Sequence, residues 1–102
     1  MSIHVGLVVT IANHRAERKV AIRKSLKQSW GFTNVEEKEK VLVACHEADY
    51  PRDPVSEESL TKIAEGIWEA NGGYCQIGIV VTYVQTYPFQ KTDYDQWQAS
   101  LN

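Results

Sequence analysis

The residues of this chain best suited to chemistry are His14, His46, Glu47 and Asp49. An imidazole titrates near neutrality, and a carboxylate beside it can orient it or share its proton, so this set reads as an alternative polar site for a small enzyme. Cys45-His46 invites a nucleophile reading, but adjacent residues of a strand point to opposite faces and cannot activate one another. His46, Glu47 and Asp49 lack the HxH, HxxxH or CxxC spacing that holds a metal, and Gly72-Gly73 follows a helical segment instead of opening one around a phosphate. No catalytic residue is therefore assigned, and no metal or cofactor is expected.

A second candidate is electrostatic. Residues 14–28 carry six Lys or Arg against Glu17, whereas residues 36–69 carry ten acidic residues against four basic ones. Arg15, Lys19, Arg23 and Lys27 form a basic stripe that would track phosphates if the partner were nucleic acid. The net charge of −2 argues against that partner, and the plainer reading is a basic first helix lying beside an acidic second one.

A third is a contact surface. Tyr83, Tyr87, Phe89, Tyr94 and Trp97 are five of the ten aromatics, gathered in an aromatic-rich C-terminal extension over residues 85–102 and the residues just before it. Aromatic groups with polar tips suit an interface, or else dock on the domain as its last core elements.

The elements that must position these residues follow from hydrophobic periodicity. Ile3 to Ile11 alternates as a half-buried strand; Val41 to Ala48 gives a second and Cys75 to Tyr87 a third. Leu60, Ile63, Ala64, Ile67 and Ala70 lie on one face of a helix, with Trp68 at its edge, a start at Asp53-Pro54 or Ser56, and a left-handed stop at Gly72-Gly73. His14 to Trp30 has helical composition between Asn13 as cap and Gly31 as stop, although its apolar residues make no clean stripe; the alternative is a hairpin strand over Arg18 to Leu26. The expected fold is α/β (α+β), a small two-layer sandwich in βαβαβ order, with helices on one face of a three- or four-stranded sheet. Helical crossovers between parallel strands would then bring the loops carrying His14, His46, Glu47 and Asp49 to one edge.

His4-Val-Gly-Leu-Val-Val-Thr10 and Gln76-Ile-Gly-Ile-Val-Val-Thr82 share Gly, Val, Val and Thr in register, and in both the Gly and Thr face away from the aliphatic stripe. One sheet face is thus expected to carry Gly6, Thr10, Gly78 and Thr82 among exposed valines. It would be covered by a second copy, another partner, or the chain's own C-terminal residues.

With 102 residues, 43% hydrophobic and 24% charged, the chain is of ordinary globular composition and one domain in size, 1–102. No apolar run is long enough to span a bilayer, and no targeting signal stands out, so a cytoplasmic location is the default. Cys45 and Cys75 are expected as reduced, buried thiols. Together these features favour a non-catalytic binding or regulatory module that works by protein contact, as a homodimer through the open sheet face or the aromatic tail.

Overall fold

The computed structural model describes residues 3–32, 34–52, 55–81 and 85–101, without the side chains of residues 85–87. The elements are β1 (Ile3–Ala12), a 3-10 turn (Ala16–Arg18), α1 (Lys19–Trp30), β2 (Asn34–Lys38), β3 (Val41–Tyr50), α2 (Glu57–Asn71), β4 (Gln76–Val81), β5 (Gln85–Phe89) and α3 (Lys91–Ser100). The strands form one sheet in the order β2-β3-β1-β4-β5, and every neighbouring pair is antiparallel. The domain is thus α+β, and the expected βαβαβ order and parallel sheet are corrected by β2, β5 and α3. The first six of these strands and α-helices follow the split βαβ topology of ferredoxin-like domains. The radius of gyration of 13.3 Å suits one domain of this length. No helix among the described residues is long and apolar enough to cross a membrane.

The topology explains why both long helices share a face. From β1 to β2 the chain moves two places across the sheet one way; from β3 to β4 it moves two places the other way, on strands of opposite direction. Two crossovers of the favoured right hand, related in that manner, put their helices on the same side. There α1 and α2 pack together over Val5, Leu7, Val9 and Ile11 of β1, Leu42 and Ala44 of β3, and Ile77, Ile79 and Val81 of β4. Each large aliphatic side chain removed from water in this layer contributes about 1.5–3 kcal/mol.

Local signals set the helix ends. Ser56 caps α2 by accepting from the Ser59 N–H at 3.0 Å, while the Ser56 N–H donates to Ser59 Oγ at 2.9 Å. Gly72 closes α2 at φ 74°, the left-handed stop expected there, and Gly31 closes α1 in the same way. The helix reading of residues 14–30 holds, but Asn13 is not its cap: Arg15 precedes the 3-10 turn, and α1 begins only at Lys19. The missing apolar stripe is explained by how little α1 buries, namely Ile22 and Leu26, while Val20 stays in solvent.

Trp68 does not sit at the edge of α2. It is buried, its indole N–H donates to the Cys75 carbonyl at 3.0 Å, and Phe89, Tyr94 and Trp97 surround its ring. Asn71 is also buried: its side-chain oxygen accepts from the Arg15 N–H at 2.7 Å, and its amide donates to the Gly73 carbonyl at 2.9 Å. This one side chain ties the loop after β1 to the end of α2.

Candidate functional site

The antiparallel sheet separates the residues proposed for a polar site. The loop after β1 and the C-terminal half of β3 lie at opposite ends of the sheet, because Ile11 pairs with Leu42 and Ile3 with Tyr50. His14 is therefore remote from His46, Glu47 and Asp49. His46 has the same alternation as Leu42 and Ala44, so it turns toward the helical layer. There it lies 2.9 Å from the Tyr50 hydroxyl, with Trp30 and Phe32 edge-on to its ring. Glu47 and Asp49 stand on the other face.

On that face they meet His4, a residue the sequence reading did not select. His4 Nδ1 lies 2.9 Å from Asp49 Oδ1, and its Nε2 lies 3.6 Å from Glu47 Oε2. The Asp49 hydrogen bond, helped by the charges of Asp49 and Glu47 against a partial loss of hydration, raises the imidazole pKa above 6.5. Alternation alone puts His4 with Gly6 and Thr10, and Glu47 and Asp49 with Cys45. The pairing of β1 with β3 is what brings the two sets together.

The open face continues from this group across β3, β1 and β4. Val8 has Cys45 on one side and Val80 on the other, and Thr10 lies between Val43 and Gly78. Val8 and Val80 keep 36% and 40% of their surface in solvent, and Cys45, expected to be buried, is exposed because it has their parity. Two hollows lie on this face. One of about 350 Å³ is bordered by Gly6, Val8, Cys45, Glu47 and Val80; the other, of about 370 Å³, is bordered by Thr10, Gln76, Gly78 and Pro88. The Thr10 hydroxyl donates to the Gly78 carbonyl at 3.3 Å, and a Cβ on Gly78 would come within 3.2 Å of that hydroxyl oxygen. Thr82 lies outside the described residues.

Among the described residues, α3 does not cover this face. Phe89 pairs with Ile77 and so turns toward the helices, while Tyr94 and Trp97 of α3 pack on Trp68 of α2. Lys91 sits over the rings of Tyr74 and Tyr94. These aromatics complete the helical layer, with Tyr94 and Trp97 only half-buried. Tyr83 and the side chain of Tyr87 lie outside the described residues.

The basic stripe is broken up. Arg15 and Arg18 stand over Gly72 and Gly73, where their charge suits the carbonyl end of α2. Lys19 reaches β2, its Nζ 2.6 Å from Glu37 Oε2, and that hydrogen bond holds the Glu37 carboxyl below its usual range. Arg23 and Lys27 are exposed. Lys19 thus pairs with β2 instead of α2.

Comparison with protein-family models, curated proteins and solved structures finds no match to this chain. Among the described residues, no three His, Cys, Asp or Glu side chains converge closely enough to hold a metal ion.

Proposed function

We propose that this domain is a binding module that acts by protein contact, pairing with a second copy of itself through the open face of the sheet. The observation that carries the reading is the gathering of the part-exposed Val8 and Val80 with the hollows at Gly6 and Gly78 on one surface. A two-fold interface must be self-complementary, and a face that carries both apolar side chains and hollows supports that reading. Area supports it as well. Five strands spaced ~4.8 Å apart, averaging about seven residues at ~3.3 Å each, present roughly 550 Å² per copy. Two copies would bury about 1,100 Å², above the ~1,000 Å² that a biological interface should clear.

Light scattering on a sizing column, over a dilution series, tests this. The expected result is a two-copy mass that falls to one copy on dilution. In Val80→Lys, which places an ammonium on the apolar patch at a position partly in water, the monomer fold persists and pairing weakens by at least about tenfold. A wild-type chain that stays monomeric at the highest soluble concentration, or a Val80→Lys chain that pairs as tightly as wild type, would overturn the reading.

A further inference from the structure

At the far end of β1 from His4, the loop into α1 and the β2–β3 turn enclose a cleft of about 700 Å³. That volume falls in the range of small-molecule sites, about 300–1,000 Å³. His14, Lys19, Glu37, Glu39 and Lys40 line it with Asn13. Two cationic and two anionic side chains therefore share one concavity with an imidazole, and Lys19 and Glu37 already touch. His14 Nδ1 itself is shielded from solvent and has no hydrogen-bond partner among the described residues, so the imidazole lines the cleft with its other atoms.

The backbone around the cleft is strained as well. Asn13, Glu39 and Lys40, at φ 62°, 53° and 66°, are the non-glycine residues with left-handed backbone among those described, and all three line this cleft. A two-residue hairpin turn with both residues at positive φ favours Asn-Gly, and Glu-Lys is a costly occupant. Its side chains, not its backbone preference, are what the position gains.

We propose that this cleft binds a small zwitterion of the α-amino-acid class, whose carboxylate is received by Lys19 and whose ammonium is received by Glu37. A purely anionic or purely cationic ligand would satisfy one member of the pair and strand the other. A dipolar ligand inserts between them and replaces one contact by two. Lys40 and Glu39 repeat the same pair of charges at the rim.

The test is a titration of the nitrogen-15-labelled chain with each of the twenty amino acids, with acetate and methylammonium at matched ionic strength as single-charge probes. At least one amino acid is expected to shift the amides of residues 12–19 and 37–41 saturably, while neither single-charge probe does. Lys19→Gln and Glu37→Gln, both at a partly exposed pair, keep the folded spectrum and each weaken binding by at least about tenfold. The proposal falls if no amino acid shifts those amides or if acetate shifts them equally. It falls too if Glu37→Gln tightens binding, because that sign marks a plain anion site in which Glu37 only competes for Lys19.

Discussion

The two faces of the sheet are built from alternate residues of the same strands, yet water treats them differently. Val9 and Ile79 are sealed under the helices, whereas Val8 and Val80, each one position away, remain partly wet. Composition does not distinguish them, since both faces carry valine in quantity. What differs is that both crossovers fall on one side, and α3 then adds a third helix to that side. A domain of this topology finishes one face from its own chain and leaves the other to be finished from outside or left in water.

The largest effect that would break this contrast belongs to the covered face. Trp68→Ala removes the ring that Phe89, Tyr94 and Trp97 pack around, and should cost about 3–5 kcal/mol in a urea melt. A loss below about 1 kcal/mol, the level expected for an exposed site, would mean that α3 does not seal the helical layer.

The two cysteines sharpen the contrast at intermediate size. Cys75 is under the helices, and burial pushes its thiol pKa up to about 12, whereas Cys45 is exposed on the open face. An aromatic disulfide reagent should titrate one thiol per folded chain and both in denaturant. Cys45 should also react more slowly as protein concentration rises through the pairing range. A rate independent of concentration in a sample that forms pairs would put the contact elsewhere.

The smallest effect is at His4. Its folded pKa lies above the unfolded value of 6.5, so its contribution to stability is complete below 6.5 and fades as pH rises through the folded value. Proton NMR should give a His4 midpoint above 6.5 that moves back toward 6.5 in Asp49→Asn. An unchanged midpoint would show that the carboxylates of the open face do not act on it.

Much of this architecture was legible in the chain because periodicity and burial agree in its central elements. β1, β3 and α2 have clean apolar repeats, and Ser56 and Gly72 mark α2 with the chemistry that helix ends require. β2 was not legible: Asn34-Val-Glu-Glu-Lys38 has one half-buried residue, Val35, and the turn after it lacks Asn-Gly. That omission had consequences for the site. One unrecognised strand reverses the direction of every later one, so ends expected to converge lie at opposite ends of the sheet, and His14 parts from His46. The α3 segment offered two readings, a contact surface or the last core elements, because Tyr94 and Trp97 stand among Gln, Asp and Lys with a weak periodic signal; their half-burial against Trp68 belongs to the second. The open face was visible through Gly6, Thr10 and Gly78, but His4 among its charges was not, since that grouping depends on register.

The margins of the sheet bear on how large an assembly can become. One margin is β2, with Glu36, Glu37 and Lys38 along it; the other is β5, where Pro88 has no N–H to offer a ladder. Neither invites another chain to add a strand, so lateral growth into a fibre is discouraged at both sides. If the open face pairs as proposed, stacking by faces uses up that surface at the first encounter, and the count stops at two.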